Sequence, residues 1–181
     1  MKQIIYKLIF FRLMRWEIVG KMNPNIEKSV MIVVPHTSWH DFYIGLFARG
    51  IIDLEMNYVA KKELFRFPFG AYFRWMGGAP LDRSGGKNIV DSIASIFKSR
   101  EVFRLAIAPE GTRKKVTNWK TGFYYIALKA EVPIIPVAFD YSKKQVVLNK
   151  PFYPTGNIEA DFEMLKSFYK GVVGKITENS F

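Results

Sequence analysis

Cysteine is absent from this 181-residue chain, and histidine occurs only twice. The first absence excludes disulfides, thiolate metal ligands and a cysteine nucleophile, and it fits a reducing compartment. The second argues against a His-based zinc site, because both histidines fall within one hexapeptide, so no metal is expected. Long apolar runs are missing as well. Within the first twenty residues the longest wholly apolar, charge-free run is Leu8 to Phe11, far short of the ~20 residues that a bilayer core demands. No small-residue cleavage site follows it, which disfavours a secretory signal. No Gly-x-Gly-x-x-Gly occurs, and Gly86-Lys87-Asn88 lacks both the upstream glycine and the following Ser or Thr of a phosphate loop, which disfavours a kinase or dehydrogenase. Without a Gly-x-Ser-x-Gly elbow, a serine hydrolase is also disfavoured. The chain shows no internal repeat, low-complexity tract or linker.

What is present describes one basic globular domain. Apolar residues make up 49% and charged residues 24%, and the length suits a single core. The net charge of +11 points to an anionic partner: a phosphate-bearing substrate, an acidic protein, nucleic acid or an anionic membrane surface. Residues 1–20 mix Ile4, Ile5, Leu8, Ile9, Phe10, Phe11, Leu13 and Trp16 with Lys2, Lys7, Arg12 and Arg15, which predicts an imperfect amphipathic helix. Its cations can snorkel, so it is expected either to lie on a membrane as a monotopic contact or to pack on the core. Residues 21–181 form the remaining domain.

Along that domain, strand-like apolar runs alternate with helical spacing. Strands are expected at Val30–Val34, Asn57–Ala60, Ala79–Leu81, Arg104–Ala108 and Ile134–Phe139, with Gln145–Leu148 as an edge strand. Helices are expected from Ser38 to Arg49, through the Phe-rich stretch to Met76, and over Lys87–Arg100, Gly122–Ala130 and Ile158–Ile176. This alternation implies an α/β fold, a largely parallel central sheet flanked by helices.

In such folds ligands sit outside the carboxyl ends of the strands, and three loops there carry polar chemistry. The first is His36-Thr37-Ser38-Trp39-His40-Asp41, in which an imidazole and a carboxylate can make a general-base pair. The same residues also fit a helix capping box, with Ser38 as N-cap and Asp41 at the third helical position. The two readings are compatible provided that His36 lies before the first turn, because residues five apart on a helix diverge by about 140°. The second loop, Asp82-Arg83-Ser84-Gly85-Gly86-Lys87, and the third, Pro109-Glu110-Gly111-Thr112-Arg113-Lys114-Lys115, combine glycine with forked cations suited to phosphate. Lys61 and Lys62 can join them.

Four blocks in this order resemble the lysophospholipid acyltransferases, typified by the 1-acylglycerol-3-phosphate acyltransferases. They are His36-Thr37-Ser38-Trp39-His40-Asp41; Gly77-Gly78-Ala79-Pro80-Leu81-Asp82-Arg83; Glu110-Gly111-Thr112-Arg113; and Val132-Pro133-Ile134-Ile135-Pro136-Val137. The stretch Ala60-Lys61-Lys62-Glu63-Leu64 resembles the segment in which the family places a phosphate-contacting lysine, matching Lys61. The sequence departs from many relatives in having Trp39-His40 where they have Asn-Trp, and Ala79-Pro80-Leu81 where larger relatives carry a bulkier aromatic stretch.

The resemblance implies that His36 takes the proton of an acceptor hydroxyl as it attacks an acyl thioester, and that Asp41 orients the imidazole. Lys61, Arg83 and Arg113 would hold an acceptor phosphate, Glu110 would orient these cations, and Gly111 and Thr112 would form the turn. The oxyanion donors are left unassigned, with amides at the helix start near Ser38 as candidates, and His40 is expected to be a bystander. No cofactor is implied. The donor would be acyl-CoA or acyl carrier protein and the acceptor a lysophospholipid, with the enzyme peripheral on the cytoplasmic face of the membrane. A non-phosphate acceptor such as an amino-acid lipid, or a non-catalytic basic membrane module, is the alternative. Nucleic-acid binding has no recognised motif to support it, and the basic residues are dispersed.

Overall fold

A computed structural model describes residues 2–81 and 88–180. Among the described residues the strands are β1 (Glu17–Val19), β2 (Lys28–Val34), β3 (Tyr58–Lys61), β4 (Gly78–Leu81), β5 (Phe103–Ile107), β6 (Ile134–Asp140) and β7 (Gln145–Leu148). Five of them form a sheet in the order β1-β7-β6-β2-β5, parallel throughout except for the β6–β7 hairpin. Strands β3 and β4 pair in parallel. They extend the sheet beyond β5 through Asn57, whose amide donates to Arg104 O at 2.7 Å and whose carbonyl accepts from the Ala106 amide at 2.8 Å. The α/β architecture and mainly parallel sheet agree with the sequence expectation.

Alternation along the central strands divides the core into two layers. Val30, Ile32, Val34 and Ile134 face helices α4 (Ile89–Ser99), α5 (Gly122–Ala130) and α6 (Ile158–Ser167). Met31, Ile135, Val137 and Phe139 face α2 (His40–Ile52) and the N-terminal helix. Strand β6 is buried along its whole length, as a central parallel strand covered on both faces must be.

Four details differ from the sequence reading. Helix α1 (Lys2–Lys7) continues through one wider π-type segment to Leu13, but Glu17–Val19 then joins the sheet instead of extending the helix to residue 20. That strand pairs with β7, so Gln145–Leu148 is an interior strand and not an edge. The closing helix stops at Ser167, well before Ile176. Buried Tyr169 donates its hydroxyl to Ile32 O at 2.9 Å, and Gly171, at φ +78°, turns the chain into a strap that runs back over the first loop. The short helix α3 (Gly70–Trp75) begins only after Pro68, so the Phe-rich stretch is helical in two short pieces.

Candidate active site

Strands β2 and β5 are parallel neighbours, so the loops that leave their carboxyl ends meet at one rim. His36 follows β2 directly and precedes α2, while Asp41 lies in the first turn of α2. This offset brings His36 Nδ1 to 3.0 Å from Asp41 Oδ2. A carboxylate held ionised can only accept, so Nδ1 is the donor, and in the neutral ring the lone pair falls to Nε2. The His36 side chain is 30% exposed and that of Asp41 only 1%, so the carboxylate is the buried anchor and the imidazole the working surface.

Asp41 is saturated with donors. Its Oδ2 also accepts the Thr37 and Ser38 amides, each at 2.9 Å, and its Oδ1 accepts the Tyr141 hydroxyl at 2.7 Å. Burial pushes its pKa up, but the bonds from His36, the Ser38 amide and Tyr141, with the His36 charge, outweigh burial and hold it below the ordinary aspartate value. Helix α2 therefore starts much as the expected capping box: the Asp41 carboxylate accepts the Ser38 amide at 2.9 Å and Ser38 Oγ accepts the His40 amide at 3.3 Å, while Trp39 between them is already helical and makes no side-chain cap. The Thr37 and Ser38 amides are thereby engaged with a carboxylate, which removes these two from the candidate oxyanion donors. Ser38 Oγ also pairs with His40 Nδ1 at 2.9 Å. The His40 ring stacks near Trp39 and lines a separate cavity of about 770 Å³ together with Tyr141, Lys144 and Lys175.

Glu110 is turned inward. Only 4% exposed, it accepts the His36 backbone amide at 2.7 Å. Burial raises its pKa, partly offset by that hydrogen bond and the His36 charge, while Asp41 adds to the rise. The loop beyond it is exposed: Gly111, Thr112 and Arg113 all face solvent, and Thr112 Oγ1 accepts the Lys114 amide at 3.3 Å. Gly111 has φ +66°, and the Lys120 side chain crosses it so closely that a Cβ there would lie 2.8 Å from Lys120 Nζ. Lys61 ends β3 in register with Leu81, which ends β4. Arg83 and its loop lie outside the described residues.

Two residues at this rim escaped the sequence reading, Tyr141 and Lys120. Both carried a signal. Tyr141 immediately follows β6, the other parallel neighbour of β2, and Lys120 lies just before α5. The strap is a third element: the Tyr141 amide donates to Val173 O at 2.8 Å, the Ile176 amide to Thr37 Oγ1 at 3.1 Å and the Lys115 amide to Asn179 Oδ1 at 3.3 Å. It therefore touches the first and third loops and the segment after β6 that carries Tyr141.

Beneath His36 lies an apolar cavity of about 600 Å³, within the usual size range of small-ligand sites. His36 and Asp41 border it, Gly45, Ala48 and Ile52 line it from α2, and Met31, Val33, Phe139, Val146 and Leu148 from the sheet. Among the described residues, no three His, Asp or Glu side chains converge as metal ligands would.

A base with its lone pair presented at the mouth of an apolar cavity, beside a cationic loop, suits proton removal from a polar group on a long apolar substrate. Several known proteins similar to this chain are acyltransferases. The family model described as Acyltransferase matches residues 15–140. A 1-acyl-sn-glycerol-3-phosphate acyltransferase of Bacillus subtilis is 26% identical over 165 residues, covering 83% of this chain and 78% of its own length. One from Salmonella typhimurium is 34% identical over 110 residues, 57% of this chain and 44% of its own length, and one from Cocos nucifera is 30% identical over 148 residues, 74% and 46%. This chain thus spans less than half of the latter two. Among solved structures, the 1-acyl-sn-glycerophosphate (LPA) acyltransferase PlsC of Thermotoga maritima shares the fold, with a TM-score of 0.59 at 22% identity over 94% of this chain and 76% of that one.

Proposed function

Because the chain belongs to the acyltransferase family, we propose that it moves a fatty acyl group from an acyl thioester to the hydroxyl of a lysophospholipid such as 1-acylglycerol-3-phosphate. The observation that carries this reading is the His36 Nδ1–Asp41 Oδ2 pair, 3.0 Å apart, at the border of the apolar cavity.

The acyl chain of the donor lies in the cavity, with its carbonyl near His36. The acceptor oxygen attacks that carbonyl while His36 Nε2 takes the hydroxyl proton, and Asp41 offsets the imidazolium charge. The C–S bond of the tetrahedral intermediate then breaks, and the proton passes from His36 to the departing thiolate. Thiolate is a good leaving group, so no covalent enzyme intermediate is needed. Arg113, Lys61 and Arg83 hold the acceptor phosphate and fix its hydroxyl; positioning of this kind is worth up to ~7–11 kcal/mol in ideal cases. Lys120, packed across Gly111, adds a cation to the same loop.

The enzyme works from a membrane surface, on its cytoplasmic side. The N-terminal helix buries Phe10 but leaves Ile4, Ile5, Leu8 and Leu13 each more than half exposed. Phe67, Phe69, Tyr72 and Trp75 form a second apolar, Arg-flanked surface. No helix among the described residues is long and apolar enough to cross a bilayer.

The purified protein is incubated with acyl-CoA or acyl carrier protein and a panel of lyso-lipids with and without phosphate, following product by mass spectrometry. The reading expects ester formation on phosphate-bearing acceptors, lost in His36→Ala. Transfer undiminished by His36→Ala removes the mechanism. Transfer to phosphate-free acceptors that ignores Arg113→Ala reassigns the acceptor to an amino-acid lipid or a similar hydroxylated lipid. Vesicle binding with no transfer to any acceptor would favour a non-catalytic membrane module.

A further inference from the structure

We propose that Tyr141 is a positioning residue for the His36–Asp41 pair: its hydroxyl holds the Oδ1 side of Asp41, fixes the carboxylate plane so that Oδ2 meets His36, and moderates the basicity that Asp41 presents to the imidazole. The proposal rests on the general-base reading of His36.

Three observations carry it. The Tyr141 hydroxyl donates to Asp41 Oδ1 at 2.7 Å, on the oxygen that no other described donor reaches. The ring is itself fixed, edge-on to Trp16 with centroids 4.8 Å apart, and its backbone amide is pinned to Val173 O. Finally, Tyr141 is the residue beyond β6, so the strand beside β2 sets its position relative to His36. Burial, then the bond and the charge of Asp41, push the Tyr141 phenol well above its ordinary pKa, so it remains a donor throughout the working range.

An ionised carboxylate divides its electron density among its donors. Removing the phenolic donor while keeping the ring leaves Oδ1 without that partner, so Asp41 becomes a stronger base. It then draws the Nδ1 proton more strongly and stabilises the imidazolium, and His36 titrates at higher pH. Other charges nearby are Lys175, with Nζ 5.8 Å from the Tyr141 ring centroid, Lys144 and His40 in the adjoining cavity, and Glu110 on the far side of His36. On its own turn, Asp140 is engaged by Ser142 and Lys143. None of these changes in a Tyr141→Phe chain, so the difference isolates the hydroxyl.

The experiment is an NMR titration of labelled histidine in the full chain, with His36 resolved from His40 by the His40→Ala background. The control is Tyr124→Phe, which removes a similar buried tyrosine–aspartate bond, Tyr124 to Asp161 at 2.8 Å, in the core of the opposite sheet face. In Tyr141→Phe the His36 midpoint is expected to rise by about 0.5 to 1 pH unit, and in Tyr124→Phe to stay in place. An unmoved midpoint in Tyr141→Phe, or equal movement in both variants, overturns the proposal. Incorporation of 3-fluorotyrosine retains the side chain and makes its hydroxyl a stronger donor, so the midpoint should fall; a rise or no change overturns the proposal even if Tyr141→Phe does not fold. In acyl transfer, kcat of Tyr141→Phe should fall roughly 5- to 50-fold with KM for the donor nearly unchanged. A parent chain that transfers no acyl group counts against the proposed function, while the His36 titration still decides the role of Tyr141.

Discussion

Replacing Asp41 by asparagine separates the shape of the site from its charge. The carboxylate accepts four donors: His36 Nδ1, the Thr37 and Ser38 amides, and the Tyr141 hydroxyl. An amide has one accepting end. Three of the four donors converge on Oδ2, so the amide should keep its oxygen there and turn its NH₂ toward Tyr141, whose hydroxyl can rotate to accept. The loop, the helix start and the His36 tautomer therefore survive, and the folded protein should lose only ~1–2 kcal/mol. The charge does not survive. A unit charge ~4 Å from an imidazolium, at an effective dielectric of about 20, is worth ~4 kcal/mol, or about three decades in rate. We expect Asp41→Asn to fold, to bind acyl donor normally and to lose roughly 10²- to 10⁴-fold in kcat. The assay is steady-state transfer beside a thermal melt. Activity within a few-fold of the parent, in a variant that has lost no more than ~1–2 kcal/mol of stability, would refute the charge argument. Asp41→Ala should unfold more readily than Asp41→Asn, because it leaves two buried amides and a phenol without their acceptor. The acid melt should change as well. A depressed aspartate contributes stability that is complete above its unfolded value near pH 3.8 and is lost as pH falls toward the lower folded value. In Asp41→Asn that part of the acid transition disappears.

Glu110 has the opposite sign: its pKa is raised by burial, so ionisation costs stability as pH climbs past its ordinary value of 4.5. Glu110→Gln, which can still accept the His36 amide, should therefore match or exceed the parent in thermal stability at pH 7 and keep most of its activity, whereas Glu110→Ala should lose ~1–3 kcal/mol; a melt at which Gln and Ala are equally destabilised would show that the charge itself is required. Gly45 borders the cavity, and a Cβ there would meet only the Phe139 ring, with Cζ at 3.5 Å and Cε2 at 3.9 Å. Gly45→Leu should preserve or raise the melting temperature, since glycine costs a helix up to ~1 kcal/mol, while shifting donor preference to shorter chains; an unchanged chain-length profile by competition assay removes the cavity as the acyl site. Leu8→Ser with Leu13→Ser should weaken sedimentation with anionic vesicles about ten-fold, from the loss of two exposed apolar anchors, without altering the melt; equal sedimentation removes the N-terminal helix from the membrane contact.

The sheet was legible in the sequence because buried parallel strands advertise themselves. Val30–Val34 and Ile134–Phe139 are continuous apolar runs that few other environments tolerate. What was less legible depended on partners remote in the chain. Glu17-Ile18-Val19 is too short to announce itself as a strand, and it pairs only because β7 offers it an edge. The stretch beyond Ser167 keeps helical spacing through Val172, yet Tyr169 reaches a carbonyl of β2, 137 residues away in sequence. Local periodicity cannot report such a bond.

The same division runs through the site. His36 and Asp41 could be read because both ends of that interaction lie in one hexapeptide, and strand-to-helix geometry alone decides whether they meet. The role of Glu110 could not be read from its block. Sequence neighbours suggested a carboxylate serving Arg113 and its fellow cations, but burial directs it to the His36 amide, 74 residues earlier. Two carboxylates therefore hold the base loop from opposite ends, one through its backbone at the start and one through the imidazole and two amides. The loop is fixed by anions, and Arg113, Lys114 and Lys115 are left facing outward. Under the proposed function, these cations, which make no ion pair among the described residues, meet the acceptor phosphate, and the doubly held base loop need not reorganise. The net positive charge and the two buried carboxylates are thus complementary parts of one arrangement.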